Sequence, residues 1–284
     1  MKPTPFVLLF VAACATVGFT GLTLRPEPPP VAAYAPAGRP TEWPDFGPGG
    51  GGFRVPQGPN GPLIAYGHDM LTRTFALVGP EVAAPEMRFA GNNLSCQNCH
   101  LDAGTNRFAL PLVGIYGTFP RQRPGGGELT LAERLNRCMT HSMNGRPLPE
   151  DSHEMRGMIA YLRYIGDVPP APPAATTPQP ALAPSADRGS VVFATVCAAC
   201  HQPNGLGKRL GSSAQPAGYQ FPPLWGPDSF NDAAGMDMAP RMTSFVLHNM
   251  PRGTDPRHPV LSVQQAWDVT TYVLAQPRPH YEGR

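Results

Sequence analysis

Charged side chains are scarce in this chain. Asp, Glu, Lys and Arg make up 15% of its 284 residues and nearly cancel, leaving a formal net charge of +2. Nucleic-acid binding needs a basic field that this balance does not supply, so that class of partner is excluded. Period-two alternation is also lacking around the cysteine motifs, which excludes a thioredoxin-type redox site set in a βαβ unit. What is abundant is proline and glycine, at 38 and 31 residues, against a hydrophobic content of 41% that is adequate for compact domains. Of these prolines and glycines, 26 fall within residues 25–62 and 168–184, so the excess sits largely in two flexible stretches. The remainder suffices for two compact units of roughly 100 residues each.

Lys2 precedes an uncharged apolar run from Phe6 to Leu24, followed by Arg25 and a proline cluster from Pro26 to Pro30. Such a run is a membrane anchor or a secretory leader. No clean small-x-small cleavage site follows, because the alanines at 32, 33 and 35 run into Pro36. Val11-Ala12-Ala13-Cys14 resembles a bacterial lipobox, although the apolar run continues past the cysteine. The reading adopted is anchoring through residues 6–24 on the periplasmic side of a bacterial cytoplasmic membrane. A soluble periplasmic product of leader cleavage and a lipoprotein at Cys14 are the alternatives. Residues 25–61 show neither helical nor strand periodicity and read as a tether.

The cysteines decide the chemistry. Cys96-Gln97-Asn98-Cys99-His100 and Cys197-Ala198-Ala199-Cys200-His201 are two copies of C-x-x-C-H, the attachment signature of c-type haem. In each, two thiols form thioethers to the porphyrin vinyl groups and the adjacent imidazole becomes the proximal iron ligand. The rival, a zinc site built from the four thiols, fits poorly with a 101-residue separation and a histidine directly after each pair. The expected cofactors are therefore two covalently bound haem c groups.

Around the second motif, residues 186–196 read as a helix with Val192, Phe193 and Val196 facing inward. Residues 261–275 read as a terminal amphipathic helix with Ser262 and Gln265 as a capping box. Its apolar face is either Trp267, Thr271 and Leu274 or Val263, Trp267 and Thr270. Helix, C-x-x-C-H, loop and helix is the plan of a small cytochrome c domain. The sixth ligand of this iron has Met236, Met238, Met242, Met250 and His248 as candidates. Met250 is preferred, because it follows a helical segment at 239–249 and precedes Pro251; Met236 is the runner-up.

Around the first motif, residues 128–143 read as a helix whose apolar stripe is Leu129, Leu131, Ala132, Leu135, Cys138 and Met139. Cys138, Met139 and Met143 then have comparable claims on the first iron, since a buried cysteine is also a small hydrophobe. A helix over 152–165, capped by Asp151 and Glu154, closes this domain. His68, His141, His153, His248, His258 and His280 belong to no motif and are expected to be surface or structural.

CQNCHLDAGT (96–105), GIYGTFP (114–120), ERLNRCMTHSMNGRPLP (133–149) and FPPLWGPDSFNDAAGM (221–236) together resemble the dihaem thiosulfate dehydrogenases, which form tetrathionate and in some members reduce it. The likeness runs from about Leu63 to Pro251. It implies a catalytic haem ligated by His100 and Cys138, and an electron-transfer haem ligated by His201 and Met250. It also implies joining of two thiosulfates, with the cysteine sulfur handling the substrate and arginines nearby holding its charge. Arg134 lies one helical turn before Cys138, and Arg121 and Arg123 sit in the RQRPGGG loop; all three are candidates, and propionate pairing is the competing role.

The expected organisation is an all-α chain with an anchor or leader (1–24), a tether (25–61), a catalytic cytochrome c domain (62–168), a Pro/Ala linker (169–186) and an electron-transfer cytochrome c domain (187–284). The expected partners are thiosulfate or tetrathionate and a redox partner such as a small cytochrome or a membrane oxidase. A non-enzymatic dihaem carrier docking to a respiratory or photosynthetic complex is the rival reading.

Overall fold

A computed structural model describes residues 53–166, 177–211 and 216–283. The anchor or leader, Cys14, most of the tether and residues 169–176 of the linker lie outside the described residues. The chain divides at Tyr34, and everything described belongs to the unit Ala35–Arg284.

The first half begins with α1 (Gly61–Thr72), which carries Pro62 in its first turn, where a missing N–H costs nothing. A short α2 (Thr74–Val78) follows, and α3 (Leu131–Thr140) and α4 (His153–Tyr164) complete this half. Helices α1 and α4 cross in backbone contact. A Cβ at Gly67 would stand 1.9 Å from the Gly157 carbonyl oxygen, so only glycine permits this approach. Met70, Leu71, Met155, Tyr161 and Leu162 are buried around the crossing.

The second half repeats the device. Its helices are α5 (Ala186–Val192), α6 (Ala198–His201), α7 (Ala239–Asn249) and α8 (Val263–Leu274). Helices α5 and α8 meet where a Cβ on Gly189 would lie 2.0 Å from the Asp268 carbonyl oxygen. Val192, Phe193, Trp225, Phe245, Val269 and Val273 form the core beside it.

The architecture is mainly helical, as expected, with two short antiparallel pairs. These are β1 (Arg121–Gln122) with β2 (Glu128–Leu129), and β3 (Lys208–Arg209) with β4 (Tyr219–Phe221). Several local expectations need correction. The helix expected over 128–143 is shorter, because Thr130 caps it in a reciprocal box with Glu133 and leaves 128–129 to the hairpin. The cap of α4 is Ser152, whose hydroxyl accepts from the Met155 N–H, while Glu154 instead accepts from the Tyr66 hydroxyl. The helix entering the second motif changes to a π-helical turn over Phe193–Cys197. On α8 the Ser262–Gln265 box forms as expected, but the buried face is Ala266, Val269, Thr270 and Val273 together with Trp267.

The two halves interlock through residues 226–234. Asp228 accepts from the Asn93 backbone N–H at 2.9 Å and from the Tyr219 hydroxyl at 2.6 Å. Asn92 donates to the Ser229 carbonyl, and Asn231 donates to the Thr140 carbonyl at 2.9 Å. Asn92 and Asn231 are almost wholly buried, so these bonds satisfy amides that could not otherwise remain inside. The C-terminal residues 277–281 strap the same segment through Asp232.

Candidate haem pockets and active site

Each C-x-x-C-H histidine is oriented by a backbone carbonyl. His100 Nδ1 faces the Leu110 oxygen, and His201 Nδ1 faces the Pro222 oxygen at 2.8 Å. A carbonyl can only accept, so Nδ1 carries the proton and the Nε2 lone pair is free to bind a metal. Burial pushes both imidazoles below their ordinary range, and for His100 the Arg134 and Arg241 charges add to the effect. Both therefore stay neutral, as a ligand must.

The thiols of the two motifs fit haem attachment better than zinc. Burial pushes Cys96 up to about 11, Cys99 to about 12 and Cys197 to about 11. Such surroundings disfavour a free thiolate and suit the neutral sulfur of a thioether. Among the described residues, no group of three or more His, Cys, Asp or Glu is placed to hold a metal ion.

Two cavities adjoin these motifs. One, of about 330 Å³, is bordered by Cys197, Cys200 and His201, with Phe245, Val269 and Val273 supplying apolar wall. Met236, Met242 and Met250 all reach it. Met250 stands where α7 ends in extended backbone, and the segment is pinned by Asn249, whose amide donates to the Phe108 and Phe245 carbonyls. Met238 is 55% exposed and lies outside this cavity, while the His248 ring faces the Ser244 carbonyl.

The other cavity, of about 620 Å³, is lined by His100, Cys138, Arg134 and Arg137 and also by Asp232 to Met238 and Arg241. Residues far apart in sequence thus share one chamber. Helix α3 places Arg134 four residues before Cys138, on one face, and its Nη1 donates to the Cys138 sulfur at 2.9 Å. Met139 and Met143 are instead buried in the apolar core. Asp232 is engaged by His280 and by the Tyr281 N–H, whose bonds hold its carboxyl below the usual range. Asp237 pairs with Arg278 at 3.4 Å. Three guanidinium groups, Arg134, Arg137 and Arg241, thus line the chamber together with the Asp232 and Asp237 carboxylates.

The structure does not bring Arg121 and Arg123 to this chamber. Arg121 lies over the Phe119 ring and bonds Thr118, and Arg123 pairs with Glu133, both on the exposed β1–β2 hairpin. Arg137 and Arg241 were not singled out in the sequence. Arg137 follows Arg134 by three residues on the same helix and could have been found by spacing; Arg241 had no local signal. Cys99 and Met236 border both cavities, so the two pockets share a wall.

Residues 186–276 match the cytochrome c family, and residues 87–167 match the SoxA/TsdA cytochrome c domain. The thiosulfate dehydrogenase of Allochromatium vinosum is 35% identical over 266 residues, covering 90% of this chain and 88% of the relative. This chain belongs to the thiosulfate dehydrogenase family. The thiosulfate dehydrogenase of Stutzerimonas stutzeri is 34% identical over 234 residues, covering 80% of this chain and 73% of that protein. Among solved structures, thiosulfate dehydrogenase (TsdBA) from Marichromatium purpuratum aligns with a TM-score of 0.68 at 29% identity, over 81% of this chain. The chain spans 50% of that one. The two matched cytochrome c domains each bind one covalent haem c, and this family member is a dihaem protein.

Proposed function

We propose that this thiosulfate dehydrogenase family member is an oxidoreductase that couples two thiosulfates to tetrathionate, and reverses the reaction when electrons are supplied. The observation that carries this reading is the Cys138 sulfur, hydrogen-bonded by Arg134 inside a chamber that also holds His100. When bound, the two haems supply two one-electron acceptors, which together take the electron pair that the coupling releases.

The chain's own residues do the rest. Arg134 fixes the direction of the Cys138 sulfur and sets a positive charge beside the substrate's sulfonate, with Arg137 at the chamber edge. One thiosulfate and the Cys138 thiolate lose two electrons as a sulfur–sulfur bond forms, leaving Cys138–S–S–SO₃⁻. The terminal sulfur of a second thiosulfate then attacks the sulfane sulfur. The bond to Cys138 breaks, tetrathionate leaves, and the thiolate is restored. His100 and Cys138 are assigned to the first iron and His201 and Met250 to the second. Arg134, rather than Arg121 or Arg123, is assigned the substrate contact. Electrons leave to a small cytochrome or a membrane oxidase outside the cytoplasmic membrane, a location that rests on residues 6–24. Among the described residues no helix is long and apolar enough to cross a membrane.

The test is stoichiometric turnover by the haem-loaded full chain with thiosulfate and ferricyanide. One tetrathionate per two thiosulfates and two ferricyanides reduced is expected. A fully loaded protein inert towards both thiosulfate and tetrathionate would leave only the electron-carrier reading.

A further inference from the structure

Arg241 belongs to the second cytochrome domain, yet it lines the chamber of Cys138 together with Arg134 and Arg137. It sits in the first turn of α7, which carries no acidic residue. A cation there opposes the helix dipole, so the position is not explained by the stability of α7. Its guanidinium occupies a slot kept open by Gly235. A Cβ on that glycine would lie 2.3 Å from Arg241 Nη1, and the glycine carbonyl accepts from the same nitrogen at 3.1 Å. The neighbouring carboxylates make their contacts elsewhere, Asp232 with the Tyr281 N–H and His280 and Asp237 with Arg278. One arm of the exposed guanidinium is thus anchored at the chamber lining while its other donors stay available, a fork suited to a tetrahedral oxyanion.

We propose that Arg241 is a substrate-binding residue through which the second domain holds the sulfonate of thiosulfate, so that both domains build the active site. The inference rests on the thiosulfate reading above and adds a substrate-binding residue contributed by the second domain. A competing role for Arg241 is pairing with a propionate of the first haem, which would act on redox potential rather than on substrate affinity.

Arg241→Gln, Arg241→Lys and Gly235→Ala are compared with wild type as haem-loaded full chains, by steady-state turnover and by redox titration of both haems. For Arg241→Gln the KM for thiosulfate is expected to rise tenfold or more, about 1.4 kcal/mol, with kcat within threefold and the first haem's potential unchanged. Arg241→Lys recovers part of the affinity. Gly235→Ala keeps the charge but moves the guanidinium, and gives a smaller rise in KM. An unchanged KM in Arg241→Gln, or a shifted first potential with unchanged KM, overturns the proposal. Wild type without turnover refutes the enzyme reading instead. Calorimetric titration with thiosulfate then decides Arg241 by itself, and equal binding or no binding in wild type and Arg241→Gln counts against it.

Discussion

Arg134 donates through Nη1 to the sulfur of Cys138 at 2.9 Å, one turn earlier on the same helix. The proposed nucleophile and the cation bonded to it are therefore a single local unit that moves with α3. Removing the cation should harm affinity and rate together. Charge-assisted hydrogen bonds contribute about 1.5–3 kcal/mol, so kcat/KM for Arg134→Gln is expected to fall roughly 10- to 150-fold. Steady-state kinetics on protein with normal haem content check this, and a change below twofold speaks against the role.

Met250 and Met236 both reach the cavity beside His201, but only Met250 stands at a helix end where the chain turns away. Met250→Leu should abolish the methionine–iron absorption band of the oxidised second haem and lower its potential, since thioether ligation raises it. Met236→Leu should retain the band. Optical redox titration of the two variants decides between them, and the opposite pattern transfers the ligand to Met236.

The local chemistry was legible because it is carried by contiguous residues. C-x-x-C-H, the Ser262–Gln265 box and the four-residue spacing of Arg134 and Cys138 all act within one or two turns. The start of α3 is obscured in the sequence because the apolar stripe continues back through Leu129. The Thr130–Glu133 box that actually begins the helix was present in the sequence. Arg241 was illegible for a different reason. It lies 103 residues after Cys138 and reaches the chamber only because segment 226–234 is buried against the first domain. The buried face of α8 was likewise decided by its partner α5, whose Gly189 seats against Asp268.

The repeated helix crossings give a stability test independent of catalysis. Gly67→Ala and Gly189→Ala each insert a methyl where backbone oxygen already stands within about 2 Å. Overpacking of this kind costs roughly 1–3 kcal/mol. The thermal midpoint of each variant should fall by roughly 2–12 °C in calorimetry. An unchanged midpoint would mean that the helices do not meet at these glycines.

Asp268 is buried at the second crossing, and its burial alone would raise its pKa. Bonds from Arg188, the Ser185 N–H and Gln264 outweigh that and hold the carboxyl below its ordinary range. A depressed folded value stabilises the protein above the unfolded value of about 3.9. That contribution is lost as pH falls through the folded value. Acid denaturation followed by circular dichroism should thus show an acid limb beginning below about pH 4, and Asp268→Asn should lower neutral stability and flatten that limb. An identical acid limb in the variant would remove Asp268 from the account.

Replacing the Cys138 sulfur tests the central claim most directly. Cys138→Gly and Cys138→Met are loaded with both haems and mixed with thiosulfate and ferricyanide, and tetrathionate is quantified. Wild type is expected to yield one tetrathionate for two electrons, and both variants are expected to lose at least a thousandfold in rate, about 4 kcal/mol, with the second haem's spectrum unaltered. Wild-type rates in either variant would contradict a substrate-handling Cys138.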